Sequence, residues 1–370
     1  MKGATLLLFL FASDEVTSFM NPRRTSFSTA TSAFRRQSSL TPLSATTTLA
    51  ATTTEERKAS LRSLFEGGQD AVLACPVSLE PLNRTTRFYG RSLEKWQCSK
   101  FGTEYRFGGA GTYLDLVPPS AQPKPIWQRS LQEVVQTDTF RNPWVAFVYE
   151  RGWRQGFANA GFPGVDEEFQ RLLEFWGAGG EWGDEKAQDV APSRSVLEGT
   201  LLDMSCGSGL MSRRIAKHGT AARVLSADFS EAMLLETARR LGEEEDDIVS
   251  SAKLAGGYGL PDLVRCDVAR LPLQSGSVDG VHAGAALHCW PLLEEGLREI
   301  HRSLSDGGKF FATTFKKGAY GVPRQVNDNG GASFRFFDVD ELDGLLRDAG
   351  FSQVSVELVG QGCLIARCIK

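Results

Sequence analysis

From Gly199 to the last residue, short apolar runs that read as strands alternate with runs that carry helical spacing. "TLLDM" is followed by "GLMSRRIAKHG", a helix closed by Gly219. "ARVLSAD" is a second strand, and Ser230 stands where a hydroxyl can cap the helix "EAMLLETARRL". The acidic run "GEEEDD" behind that helix reads as a solvated turn. "DLVRCDV" and "SVDGVHAGAAL" are the third and fourth strands, and a helix spaced by Leu293, Leu297, Ile300 and Leu304 follows. "DGG" turns the chain into the fifth strand, "KFFATTF". Strands joined through helices pair in parallel, because a parallel neighbour can be reached only by a crossover. The final elements depart from that plan. Behind the helix "VDELDGLLRDAGF", the runs "QVSVELV" and "CLIARCI" read as a closing antiparallel hairpin. The expectation is therefore an α/β fold with five parallel strands and an antiparallel C-terminal pair. A dinucleotide-binding Rossmann domain is built of parallel strands throughout, so the hairpin argues against one.

The front of the chain is organised differently. Residues Ala4 to Ala12 form an apolar run behind Lys2 that is too short to span a bilayer. From Val16 to Thr54 there is no acidic residue, while Ser, Thr and Ala abound beside Arg23, Arg24, Arg35 and Arg36. This composition reads as a signal peptide plus transit peptide over 1–54, with plastid delivery as the expectation. The alternative is a tail without an address. The whole chain carries 41 basic and 45 acidic side chains, a net charge of −4. The leader holds more bases than acids, so the body behind it is more acidic still. That balance excludes a nucleic-acid backbone binder, which needs clustered Lys and Arg. No later stretch is long and apolar enough to be a transmembrane helix.

Between about residues 55 and 119, short aromatic-rich runs separated by turn residues suggest a small β ribbon-like module. Zinc in such a ribbon takes four ligands from two C-x-x-C knuckles. Here Cys75 is followed by Ser78 and Cys98 by Phe101, with no His nearby, so no metal is expected. Leu73, Phe88, Trp96 and Phe107 would then hold the module by packing. Seven cysteines at scattered positions give no disulfide framework. "PPSAQPKP" opens a helical linker or lid region over 120–198, within which Phe169, Leu172, Leu173 and Trp176 mark one helix face. Residues 199–370 form the main domain.

The stretch "LLDMSCGSGL" breaks a strand into glycines at a helix start. Gly207 and Gly209 remove Cβ atoms and allow close approach of a ligand, and the helix N–H groups behind them suit a negative group. A dinucleotide fingerprint would need a third glycine near Ser212, which is missing. Asp228 ends the second strand, where a carboxylate can accept from both hydroxyls of a ribose. That position alone fits NAD equally well. "RCDVARLPL" adds Asp267 behind the third strand, either as a ligand contact or as the cap of a turn.

Together, the D-x-S-x-G-x-G motif, Asp228, Asp267 and the closing hairpin resemble the class I S-adenosylmethionine (SAM)-dependent methyltransferases over Leu201 to Lys370. Ser205 stands in place of the family's usual first glycine. The resemblance implies SAM as cofactor, with Asp203 anchoring the methionine amine and the glycine loop its carboxylate. It implies Asp228 on the ribose and Asp267 on the adenine, with Ser205, Phe229 and Val268 beside them. "YERGWRQGFANAGFPG", "DMSCGSGL" and "HAGAALHCW" narrow the likeness to plant and algal plastid methyltransferases, some associated with lipid globules. That group implies a small-molecule methyl acceptor, lipophilic and quinone-like, and peripheral contact with plastid lipid. His288, at the tip of the fourth strand, is the candidate general base, with a structural role as the alternative. Two rivals stay open: a non-catalytic SAM-binding sensor or scaffold, and an NAD(P)-dependent oxidoreductase.

Overall fold

The structure is a computed structural model that describes residues 69–87, 93–118, 161–177, 195–257, 259–318 and 335–370. All of them lie within one compact unit, residues 63–370. The leader expected over 1–54, Phe88 and most of the 120–198 region fall outside the described residues.

Strands β1 (Gln69–Ala74), β2 (Pro81–Arg87), β3 (Leu93–Cys98), β4 (Glu104–Gly108) and β5 (Tyr113–Asp115) form an antiparallel meander. The main domain supplies β6 (Thr200–Met204), β7 (Arg223–Asp228), β8 (Asp262–Arg265), β9 (Val278–Ala283) and β10 (Leu304–Phe315). It closes with β11 (Gln353–Val359) and β12 (Cys363–Ile369). The described helices are α1 (Val165–Gly177), α2 (Leu210–His218), α3 (Glu231–Glu243), α4 (Glu245–Ala255), α5 (Leu293–Ser303) and α6 (Val339–Asp348).

The main-domain strands run in the order β8-β7-β6-β9-β10-β12-β11. The first five are mutually parallel, and β12 is antiparallel to both β10 and β11. The predicted hairpin is therefore present. Its position beside β10 gives the α/β sheet of class I methyltransferases. Both faces of β6, β7, β9 and β12 are buried, which explains their near-continuous apolar runs, while the edge strand β11 is not. Alternate residues serve opposite layers: Phe310 and Ala312 pack in one cluster, Phe311 and Phe315 in the other. The same alternation divides Leu202 and Met204 from Leu201.

Two readings of local structure are corrected. The run "GEEEDD" is not a turn, because α4 begins at Glu245 and carries Glu245, Asp246 and Asp247 in its first turn. Acidic side chains there face the positive end of the helix dipole, so the run initiates the helix. On α1 the buried face holds Leu172, Phe175 and Trp176, while Leu173 is only partly buried.

The meander also continues the main sheet. Strand β5 pairs in parallel with β8, aligning Leu114 with Val264 and Asp115 with Arg265. On another side, Ala74 N–H donates to Pro272 O (2.8 Å) and Gln274 N–H to Val72 O (2.8 Å). Arg223 on β7 binds both oxygens of buried Asp70, at 2.9 and 3.0 Å, and holds Asp262 with its Nε at 2.8 Å. Leu73 and Trp96 are buried as expected, but Phe107 is exposed and contributes no packing of that kind. Backbone pairing and a buried ion pair hold the module, in addition to apolar contact.

Candidate active site

In a sheet of this order, the crevice lies at the carboxyl ends of the strands, where β6 and β9 part in connectivity. Chain leaving β6 enters the glycine loop. Ser205, Gly207 and Gly209 all adopt left-handed conformations, with φ of 59°, 57° and 76°. Glycine takes these values freely, whereas a serine pays about 1–2 kcal/mol for them. Ser205 Oγ accepts a hydrogen bond from Trp290 Nε1 at 3.0 Å. Ala285, beyond the neighbouring strand β9, is a second left-handed non-glycine (φ 48°), its N–H donating to Thr313 Oγ1 at 2.7 Å. Of the four left-handed non-glycine residues among the described ones, Ser205 and Ala285 stand at the tips of two adjacent strands, and Leu79 and Ala110 lie in the meander.

The two glycines serve different ends. Gly207 donates its N–H to Asp228 Oδ2 (3.0 Å) and accepts from Thr237 Oγ1 (2.8 Å). A Cβ on Gly209 would come within 2.5 Å of the Thr237 methyl carbon. Close packing of the loop against α3 therefore requires a glycine at 209, a constraint that comes in addition to the ligand approach expected from the sequence.

Asp228 sits half-buried at the end of β7. Besides Gly207, it accepts from Ser230 N–H through Oδ1 (2.8 Å). Each oxygen keeps a further lone pair, which two ribose hydroxyls can use. Burial pushes its carboxyl up to about 6, against the lowering effect of these backbone donors. Phe229 follows it, its carbonyl accepting from Arg265 Nε (3.1 Å) with the guanidinium over its ring. Asp267 Oδ1 caps the turn behind β8 by accepting from Ala269 N–H (3.0 Å), and Val268 beside it is buried. The capping role is thus real, and it engages one oxygen of the carboxylate only.

Asp203 does not fit the part that the resemblance implied. It is 1% exposed, with Ser212 Oγ donating to Oδ2 (2.5 Å) and His282 Nδ1 at 2.8 Å from Oδ1. The β6–β9 register aligns Asp203 with His282, and this turns the carboxylate into the protein. Glu168 from α1 closes the group, its Oε1 at 3.5 Å from His282 Nε2 and 3.2 Å from Thr313 Oγ1. Gly284 leaves the space, because a Cβ there would lie 2.7 Å from the His282 ring. Burial alone would lower the His282 pKa, yet the hydrogen bond to Asp203 and the nearby Glu168 carboxylate outweigh it and raise it to about 9. Sequence reading passed over this histidine; only its fall between two apolar neighbours in a strand signalled an inward polar group.

His288 is buried as well, edge-on to Phe315 (4.8 Å between centroids) and stacked over Phe336 (6.3 Å). Its Nε2 lies 3.1 Å from Cys289 Sγ. Desolvation lowers its pKa to about 3. Burial thus favours the neutral imidazole, whereas a general base works best with a pKa near the operating pH. Burial likewise pushes the Cys289 thiol up, away from thiolate chemistry.

In the module, the two degenerate knuckles face one another. Cys75 Sγ shares a hydrogen bond with Tyr105 Oη (3.1 Å), and Ser78 Oγ lies 3.4 Å from Cys98 Sγ. Phe101 contributes only its N–H, 3.4 Å from that same sulfur. Burial pushes the Cys75 thiol up, but donors from Ser78, Tyr105 and the turn prevail and bring it to about 7. Among the described residues, no three His, Cys, Asp or Glu side chains group to hold a metal ion. No described helix is long and apolar enough to cross a membrane.

Known proteins agree with this architecture. Residues 202–312 match the methyltransferase domain model. An uncharacterised chloroplastic methyltransferase of Arabidopsis thaliana is 34% identical over 291 residues, 76% of this chain and 73% of that protein. A second one from the same plant is 37% identical over 67% of this chain and 62% of that protein. A 2-phytyl-1,4-naphtoquinone methyltransferase of Nostoc punctiforme is 31% identical over 34% of this chain and 50% of its own. With its parallel sheet, antiparallel hairpin and glycine loop, the chain belongs to the SAM-dependent methyltransferases.

Proposed function

We propose that the enzyme transfers the SAM methyl group to a small, lipophilic, quinone-like acceptor in a plastid. The observation that carries the cofactor reading is Asp228, half-open beside the left-handed Gly207 at the switch point of the sheet. Asp228 would hold the ribose, the Gly207–Gly209 loop the methionine end, and Asp267 and Val268 the adenine. Ser205 and Phe229 complete that wall. SAM supplies a methyl group on a positively charged sulfur, already a strong electrophile. The protein's part is then to orient the acceptor in line and to exclude water. His288, its ring edge-on to Phe315 and its Nε2 against Cys289 Sγ, would stay neutral and take no proton. The acceptor would accordingly arrive already nucleophilic, as an anion or an electron-rich ring carbon. Support for a quinone-like ring comes from the naphtoquinone methyltransferase relative, and for a plastid from the leader composition and the chloroplastic relatives.

The test is calorimetry with SAM, S-adenosylhomocysteine and NAD. Asp228→Ala removes two charge-assisted hydrogen bonds worth about 1.5–3 kcal/mol each, so SAM affinity should fall at least about tenfold with the fold intact. Unchanged affinity would remove Asp228 from the site. The wild type adds a pH signature. SAM binds the ionised carboxylate, so affinity should be full above about 6 and decline as pH falls through that value.

A further inference from the structure

Trp290 is a buried tryptophan placed between three parts of the site. A Cβ built on Gly296 of α5 would lie 3.0 Å from its ring and 3.4 Å from Val268 Cγ1, so ring, α5 and the adenine-side wall are in close company. Its own backbone ends the turn that follows β9, with Trp290 N–H donating to Leu287 O (3.2 Å). Its indole N–H reaches across to Ser205 Oγ in the glycine loop. Burial by itself does not recruit such a partner in this protein. Among the described residues, the buried indole nitrogens of Trp96 and Trp176 meet no hydrogen-bond acceptor. Nor does the loop require a serine, since a left-handed φ of 59° is what glycine takes most freely. The chain thus accepts a strained residue at a position from which its hydroxyl meets the Trp290 indole.

We propose that Ser205 is a positioning residue: its hydroxyl latches Trp290 and so fixes the cofactor loop against the acceptor-side turn after β9. The inference rests on the reading of that loop as the SAM site. The latch carries a distinctive consequence, because strain and function oppose one another at Ser205. Removing the side chain relieves the backbone while releasing the indole.

The experiment uses the full chain and four variants: Ser205→Gly, Ser205→Ala, Trp290→Phe, and the Ser205→Gly/Trp290→Phe double. SAM affinity is measured by calorimetry, stability by melting, and the Trp290 indole resonance by ¹H–¹⁵N NMR, assigned through its loss in Trp290→Phe. Ser205→Gly should melt at or above the wild type and yet bind SAM about three- to tenfold more weakly, the scale of one net hydrogen bond. Ser205→Ala keeps the strain, so it should melt lower than the glycine variant with the same loss of affinity. Trp290→Phe should lose as much, and the double no more than either single. SAM should move the indole resonance in the wild type and leave it in place in Ser205→Gly. A Ser205→Gly protein that binds SAM like the wild type overturns the latch, as do losses that multiply in the double variant. Asp228→Ala is the control: undiminished SAM affinity there overturns the cofactor reading itself, and the latch with it.

Discussion

The carboxyl end of β9 carries two histidines whose surroundings could hardly differ more. His282 lies inside the sheet between Asp203 and Glu168, and its pKa rises to about 9. His288 lies among Phe315 and Phe336, and its pKa falls to about 3. Both rings are buried, so desolvation acts on each in the same direction. What separates them is the presence of carboxylates. The raised pKa favours an imidazolium at His282, set between carboxylates of α1 and β6. The other is a neutral wedge in an aromatic wall. Burial of a histidine therefore says nothing of its protonation until its partners are known.

The sharpest way to break this contrast is to remove Asp203. Asp203→Ala leaves a buried imidazolium with Glu168 alone and the Ser212 hydroxyl without its acceptor. Loss of one partner of a buried ion pair costs about 3–5 kcal/mol. Urea unfolding should report a fall of that size, and an unchanged midpoint would show that His282 is neutral in the folded protein.

Next in size is the opposite pH response of the two rings. His282 has a raised folded pKa, so its stabilisation is full below the ordinary value near 6.5 and is lost as pH rises through about 9. The span corresponds to roughly 3 kcal/mol. For His288 the folded pKa is depressed. The unfolded chain takes up a proton below about 6.5 and the folded protein does not, so stability falls as pH drops from there towards 3. Unfolding midpoints compared with His282→Asn above pH 7, and with His288→Phe below pH 6, separate the two slopes. Equal slopes in variant and wild type would erase the difference.

The smallest expected effect is that of His288→Phe itself at neutral pH. A neutral ring among phenylalanines is exchanged for another, so stability should stay within about 1 kcal/mol and SAM affinity should be unchanged. A loss of methyl transfer of about a hundredfold, measured with labelled SAM and plastid extract, would instead restore His288 as a base.

Much of the main domain was legible because its signals are local. Strand length, helical spacing, the Ser230 cap and the glycine break at Gly207 each act within a few residues. The site was legible only in part. Asp228 and Asp267 stand behind strands β7 and β8, and strand ends can be read in one dimension. The Asp203–His282 pairing was not, since it follows from register between β6 and β9, which a linear pattern does not contain. The packing constraint on Gly209 was missed because it comes from Thr237 on another element. The module looked like a separate ribbon for the same cause. Its link to the sheet runs through three-residue β5 and through Arg223 and Asp70, none of which announces a distant partner.

That link has a temporal side. Asp115 and Arg265, joined at 2.8 Å, are separated by 150 positions in the chain. Contacts of such separation form late and slowly, since a long loop must close before any of them is rewarded. During synthesis or after passage through a membrane, the meander must wait for β8 to emerge before β5 can be seated. Until the two strands meet, each presents an unpaired edge, the kind of surface on which chains associate with one another. Production of residues 199–370 alone would make that interval permanent. The N-terminal module therefore acts as the cover of an otherwise adhesive edge, and soluble catalytic protein should require both halves of the chain.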